Sequence, residues 1–345
     1  MKQKLSAIAL LLSFLLCLSP MLSTTTHVAQ AAPEEKKGPP LDKLIWTVET
    51  EMEVGLKKVV EGDIDLFMWS MPWTVYEGLT EEEREKLLMV KCSTGVWFIE
   101  PNWAGAIEPN LHPWSPILNE TNYPGIVIVS GGEGEPYRHD GTYFNPFAIR
   151  EIRFALNFLI NREELVETVL HGSGAPMFSA VQPSHPANST FWPIYEEFGF
   201  TAEGDPDKSA EMVEKALLDV VNTWAAMGAP YDLRGGLLKE ERGGGDWLEF
   251  YDGTSWKRVE LNFFIRTEDE RLDEGRYVTD LIETYWKIKV NKMEYDRGVC
   301  IPVVYYSDPL AYQWDLYTAG WVSMAEWPYP DSDLWWYYWL CPIWR

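Results

Sequence analysis

Phe144-Asn145-Pro146-Phe147-Ala148-Ile149-Arg150-Glu151-Ile152-Arg153-Phe154-Ala155-Leu156-Asn157 is the stretch that decides the fold. Ile149, Ile152, Leu156 and Leu159 recur at steps of three and four, the spacing of one face of an α-helix. Asn145 stands before Pro146, an acceptor side chain followed by a residue whose missing N–H costs nothing in a first turn. A helix is therefore expected to open near Pro146 with Asn145 as its cap. Asn161 interrupts the pattern and Glu164 follows three residues on. That is a capping box, restarting a helix through Leu165, Val166 and Val169 that stops before Gly172.

Downstream, Asp205-Pro206 opens another helix that runs towards Met227-Gly228. Residues 247–251 and 257–265 flank a turn at Asp252-Gly253 and read as a hairpin. A helix over residues 270–287 follows, then strand-like runs at 303–306 and 314–320. Upstream, residues 44–48 read as a short strand and 53–60 as a short helix ending near Gly62. Residues 64–69 form a second strand-like run. Thr80 caps a helix over 81–88, with Glu83 in the capping-box position. Residues 101–140 are rich in loops, with one apolar strand at 126–129. Strands alternating with helices, without an internal repeat, indicate an α/β chain.

The chain has 345 residues, long for a single core, so two lobes are the default. Its 46% hydrophobic and 24% charged residues are those of a globular protein and argue against disorder. A formal net charge of −24 repels phosphate backbones, which excludes nucleic acid as a partner. The 18 Trp and 17 Tyr exceed what a core of this size needs. Such side chains suit a wet binding cleft, and a Trp-heavy core is the competing reading.

Lys2 and Lys4 precede an apolar run over residues 5–16, and Ala29-Gln30-Ala31 offers a cleavage site. Residues 1–31 thus read as a secretory signal peptide, and 32–42 as a Pro-rich linker. Cys17 lacks the small residues a lipidation signal puts before it. Cys92, Cys300 and Cys341 allow at most one disulfide, with the pairing open, and match no zinc spacing. Asn119-Glu120-Thr121 and Asn188-Ser189-Thr190 fit the glycosylation sequon.

Several stretches, in order, resemble family 5 of the extracellular solute-binding proteins of ABC importers, the oligopeptide- and dipeptide-binding group. Val60-Glu61-Gly62-Asp63-Ile64-Asp65 is similar to that family's G-[ED]-[IL]-D segment. Phe144 to Asn157 resembles its "N…pPf…vRqAlnyaiDR" signature, with Asn161-Arg162-Glu163 in the place of Asp-Arg-Glu. His171-Gly172-Ser173-Gly174-Ala175-Pro176 is similar to the turn that follows. Asp207-Lys208-Ser209-Ala210 resembles the next helix start, and Gly320-Trp321 with Pro330-Asp331 the late "GW…pDp" segment. The resemblance spans roughly residues 43–335, and the short front end resembles variants seen in hyperthermophilic archaea. It implies an α/β fold of the two-lobed, type II periplasmic-binding-protein architecture with mixed sheets. Residues 43–145 would form part of the first lobe and 146–345 the second. The chain stops soon after the late motif, where relatives continue, so an incomplete, C-terminally truncated version is expected.

The implied function is capture of oligopeptides by hinge closure and delivery to a membrane permease, with no catalysis. A monomer is expected, exported to an extracellular or periplasm-like space and reaching the membrane through the permease. No cofactor or metal is called for. Capture needs a water-excluding cleft with a few directed polar groups, built by loops at strand ends. Trp69, Met71 and Trp73, after the 64–68 run, are the first candidates, with a hydrophobic plug as the structural alternative. Trp321 is next, because the resembling segment reaches ligand in peptide-binding relatives. Those relatives place an acid shortly after that Trp, to pair with a peptide's amino terminus. Here the nearest acid is Glu326, which keeps an oligosaccharide stacked on Trp faces as an alternative ligand. Trp97, Asn102, Trp103 and Asn145 complete the candidates, Asn145 foremost as a helix cap. A glycoside hydrolase is the enzymatic alternative, but carboxylates are too numerous for any pair to be singled out. Nucleophile-elbow, P-loop and paired-His zinc motifs are absent. A surface adhesion module would explain export and acidity, though not the ordered motifs.

Overall fold

The computed structural model describes residues 41, 43–49, 51–68, 71, 73–89, 95–106, 123–132, 134, 137–179, 181–183 and 185–322. Among them the strands are β1 (Gly95–Pro101), β2 (Ile126–Val129), β3 (Gly141–Phe144), β4 (Asp232–Arg234), β5 (Glu249–Tyr251), β6 (Trp256–Arg258), β7 (Glu260–Arg266), β8 (Lys289–Tyr295) and β9 (Leu316–Val322). Helices of the second half include α1 (Arg150–Leu159), α2 (Pro206–Ala226), α3 (Arg271–Leu281) and α4 (Arg297–Tyr305).

The main sheet has the order β1-β9-β7-β8. β7 runs parallel to β8 and β9, while β1 closes antiparallel on β9. Six successive residues of β7, from Leu261 to Arg266, are buried. Burial on both faces is the mark of a central strand covered by helices, and it explains why β7 reads as a continuous run. α3 is the crossover from β7 to β8. It lies close because Gly275 has no side chain: a Cβ there would come within 2.7 Å of the Ile265 side chain. β2-β3 form a two-stranded sheet and β4-β5-β6 a three-stranded one, so the fold is α/β with mixed sheets.

α1 packs along α2 beneath these sheets, with Ile152, Ala155, Leu156 and Leu159 facing Val213, Leu217 and Trp224 in one core. The capping expectations hold because each needs only local geometry. Asn145 Oδ1 accepts from Phe147 N at 2.9 Å, opening a 3-10 turn (Pro146–Ala148) before α1. Asp205 accepts from Lys208 N, and Thr80 forms the full capping box with Glu83. Asn161 accepts from Glu164 N as a simple cap, not the expected box, because the Glu164 carboxylate accepts from Tyr277 OH instead. Trp224, Trp286 and Trp314 are fully buried, so part of the Trp surplus is core. Trp286 Nε1 donates to Ser209 Oγ at 3.0 Å, and Ser209 Oγ donates to Ala155 O at 2.8 Å, tying α3's extension, α2 and α1 together.

Several boundaries differ from expectation. Residues 303–306 end α4 instead of forming a strand. Asp296 accepts from Gly298 N and Val299 N and starts a helix that overrides the β-branched run. Residues 44–48 and 64–68 are not strands either; Ile45, Val48, Leu66 and Met68 are exposed, with no partner strand among the described residues. The helix after Thr80 stops at Glu85. The hairpin pairs β5 with β6 only; after Val259 the chain leaves for the main sheet as β7. α3 ends at Leu281 and continues as a wider π turn (Ile282–Trp286) to Lys287, whose φ is +54°. The described residues from Met52 on form one compact unit, and those before it belong to a separate one. β1, which precedes residue 146, pairs with β9, which follows it. The expected signal peptide, most of the expected linker and residues 323–345 lie outside the described residues. Among the described residues no helix is long and apolar enough to cross a membrane.

Candidate ligand-binding site

In sheets with parallel strands, ligands sit at the carboxyl ends of the strands, where the loops leave. Here that end holds the last residues of β7 and β9 together with the start of β1. Trp97 pairs with Gly320, and Val96 with Trp321. Since side chains alternate along a strand, Trp97 and Gly320 share one face of the sheet and Trp321 takes the other.

On the Trp97 face stands the first turn of α3. Arg271 is buried, and its guanidinium lies 5.7 Å from the centre of the Trp97 ring. Its Nε donates to Asp269 Oδ1 at 2.7 Å and its Nη2 to Asp269 Oδ2 at 2.5 Å. Nη1 points over Gly320, where a Cβ would come within 2.7 Å of it and within 3.0 Å of Trp97 Cδ1. Among the described residues Nη1 has no acceptor. One turn on, Glu274 is 8% exposed, and its Oε2 has no hydrogen-bond partner. Burial pushes its carboxyl up to about 8, Arg271 opposing and Asp269 adding to the rise. At neutral pH Glu274 therefore keeps its proton.

On the other face, Trp321 meets Tyr305 of α4 edge-on at 5.6 Å, and Tyr305 meets Tyr317 at 5.8 Å. Tyr305 OH donates to Glu100 Oε2 at 3.0 Å. At the end of β7, Arg266 forms a two-point pair with Glu268 (2.7 and 2.8 Å) and donates to Tyr317 OH at 3.2 Å. Burial alone would lower the Arg266 guanidinium, but Glu268 and Tyr317 more than offset it and raise it. Arg297 N donates to Glu268 Oε1 at 2.6 Å, anchoring α4 to the same pair.

Trp73 joins the α3 side: its backbone N–H donates to Glu270 Oε1 at 2.7 Å, and its ring stacks on His171 at 5.5 Å. Met71 is half-buried beside it in sequence. Trp69 and Glu326 lie outside the described residues. Asn102, Trp103 and Asn145 belong to the opposite end of β1. Asn145 Nδ2 donates to Asn102 O and Ala104 O, both at 2.8 Å, which with the cap spends its amide on the backbone. Asn102 Nδ2 donates to Trp314 O at 2.9 Å, and Trp103 packs under Arg153 at 5.5 Å. The expected residues thus divide between two ends of the sheet.

Sequence reasoning missed Asp269, Arg271 and Glu274, along with Arg266 and Glu268. The signal that finds them is position: Arg266-Thr267-Glu268-Asp269-Glu270-Arg271 is the loop leaving the central parallel strand. A separate shallow cleft of about 420 Å3 is lined by Gly236, Lys239, Asp246, Trp247, Glu283 and Lys287. Lys239 there pairs with Asp246 at 2.6 Å and Glu283 with Lys289 at 2.7 Å. Among the described residues no cluster of His, Cys, Asp or Glu could hold a metal ion. Cys300 is a free, buried thiol, which burial pushes up to about 12.

The family model described as "Bacterial extracellular solute-binding proteins, family 5 Middle" matches residues 27–339. No curated protein sequence matches the chain. Similar solved structures include the ABC transporter substrate-binding protein CtaP of Listeria monocytogenes, at 10% identity and a TM-score of 0.39, covering 80% of this chain and 39% of that one. The oligopeptide-binding protein AppA of Bacillus subtilis, in complex with a nonapeptide, is 14% identical with a TM-score of 0.36, over 78% of this chain and 38% of that one. A putative peptide binding protein AppA of Clostridium difficile is 13% identical with a TM-score of 0.36, over 80% and 39%. The chain spans less than two fifths of the length of these proteins. It belongs to family 5 of the extracellular solute-binding proteins.

Proposed function

We propose that this chain is the solute-capturing subunit of an ABC importer and that its solute is an oligopeptide. Family membership over residues 27–339 supports the importer role. The observation that carries the peptide reading is Arg271, buried at the strand ends with Nη1 aimed over Gly320 beside Trp97 and no acceptor among the described residues. A peptide supplies what that group needs, a carbonyl or carboxylate oxygen, next to apolar side chains for the Trp97 face. A neutral sugar would use the ring and offer Nη1 no anionic acceptor, Asp269 already holding Nε and Nη2.

Capture proceeds by closure of two lobes on the ligand, and release to a permease in the membrane returns the protein to the open state. No bond is made or broken. Residues 1–31 direct export, and the mature chain works as a monomer outside the cytoplasmic membrane. Calorimetric titration of the mature chain with unmodified short peptides, and separately with oligosaccharides, tests the assignment. Saturable heat with peptides alone supports it. Saturable heat with oligosaccharides alone replaces it with the sugar reading.

A further inference from the structure

Arg271 is held by one carboxyl group, and a second lies one helical turn further along α3. Asp269 holds its Nε and Nη2. Glu274, three residues on, lies on the same buried face of α3 and has an oxygen without a partner. An unpartnered oxygen at such a depth is uncommon, because a buried acceptor without a donor costs about 1–3 kcal/mol. The carboxyl escapes the larger cost of a lone buried charge by keeping its proton. Should the proton leave, the nearest cation to compensate is Arg271, one helical turn away. Asp269 holds Nε and Nη2, so Nη1 is the nitrogen left to turn towards Glu274, and in doing so it leaves the space over Gly320.

We propose that Glu274 is a proton-operated positioning residue for the ligand site. Protonated, it leaves Arg271 to Asp269, with Nη1 over Gly320 and the guanidinium near Trp97. Deprotonated, it draws the guanidinium towards itself and away from Trp97, and ligand affinity falls. Its effect on ligand rests on the capture reading above; the exchange of partners does not.

The surrounding charges leave Glu274 dependent on Arg271. On the neighbouring elements, Arg266 of β7 is committed to Glu268, and Glu268 also accepts from Arg297 N at the start of α4. Glu270 accepts from Trp73 N. Cys300 on α4 is held protonated by burial. From β9 and β1 the nearby groups are Thr318, Gly320 and Trp97, none of which titrates. The charges acting on Glu274 are Arg271 and Asp269.

The test is carboxyl NMR of protein labelled with 13C in its glutamates, followed alongside the Arg271 Nε–Hε signal through about pH 6 to 9. One glutamate signal is expected to titrate well above the rest and to vanish in Glu274→Gln, with the Nε signal moving in step. If every glutamate titrates in the ordinary range, or the Nε signal ignores the Glu274 step, the proposal is overturned. Gly320→Ala supplies a second variant: its Cβ displaces Nη1, so the Glu274 step should move down in pH and peptide affinity should be low throughout. An unchanged Glu274 step in Gly320→Ala counts against the proposal. With short unmodified peptides, wild-type affinity should fall about tenfold across the same range and stay flat in Glu274→Gln. The wild-type slope surviving in Glu274→Gln overturns the link to ligand. Absence of peptide binding at every pH sinks the capture reading alone, since the NMR signals decide the exchange without ligand.

Discussion

Trp97 and Trp321 stand one register step apart on neighbouring strands and face opposite sides of the same sheet. They cannot form two walls of one aromatic slot. Trp97 shares its face with Arg271 and α3, and Trp321 shares its own with Tyr305 and α4. Trp97→Ala should therefore weaken peptide binding about tenfold with little change in melting temperature, since what it removes is a half-buried ring near a cation. Trp321→Ala should lower the melting temperature as well, because Tyr305 loses its packing. Titration calorimetry and thermal melts of the two variants distinguish these outcomes.

Glu274 makes a stability prediction that needs no ligand. Its carboxyl titrates near 8 in the folded chain, against an ordinary 4.5. Between these values the folded state binds a proton that the unfolded state has released, so stability falls as pH rises. The slope from this one group is up to about 1.4 kcal/mol per pH unit. The stabilisation is complete below the lower value and lost through the upper one. Glu274→Gln removes the titration, so its stability relative to wild type should rise steadily from about pH 5 to pH 8. Urea unfolding at several pH values measures the difference, which also cancels the contributions of the other carboxylates.

Arg138 and Asp315 form a fully buried pair, Nη2 to Oδ2 at 2.6 Å, at the start of β9. Nη1 also donates to Tyr312 O at 2.8 Å, and Asn262 N donates to Asp315 Oδ2 at 2.7 Å. Tyr312 OH donates to the other Asp315 oxygen. Removing one charge strands the other among these groups. Arg138→Met should cost about 3–5 kcal/mol in denaturant unfolding. Pairing it with Asp315→Asn should recover part of that loss.

Asn145 stitches the end of β3 to the segment after β1 through two buried hydrogen bonds and caps the turn that follows it with a third. Asn145→Ala should destabilise the chain by about 3 kcal/mol, from the lost cap and two orphaned carbonyls. Asn145→Asp should be nearly as costly, because a carboxylate keeps the cap but cannot donate to Asn102 O and Ala104 O. Peptide affinity, extrapolated to folded protein, should not change in either variant.

What the sequence made legible is what local chemistry decides. The spacing of Ile152, Leu156 and Leu159, the caps at Thr80, Asn161 and Asp205, and the β2 run all depend on residues a few positions apart. Residues 303–306 misled because a β-branched run resembles a strand, whereas the cap at Asp296, seven residues earlier, sets a helix. The pairing of β1 with β9 joins residues more than two hundred positions apart, and no periodicity announces it. Arg271 and Glu274 were hidden for another reason. In a chain with 53 acids, a carboxylate reads as solvated surface, and only the packing of α3 on β7 shows this one to be buried. The resemblance to the solute-binding family named Trp321 and pointed to one end of the sheet. It carried no information on which face each ring takes.

The account is tested most directly by calorimetric titration of the mature wild-type chain and of Arg271→Met with unmodified short peptides near pH 6.5, a value chosen to keep Glu274 protonated. The account predicts saturable binding to the wild type, and affinity lowered at least about tenfold in a folded Arg271→Met. Equal peptide affinity in both proteins, or saturable binding only to oligosaccharides, would contradict it.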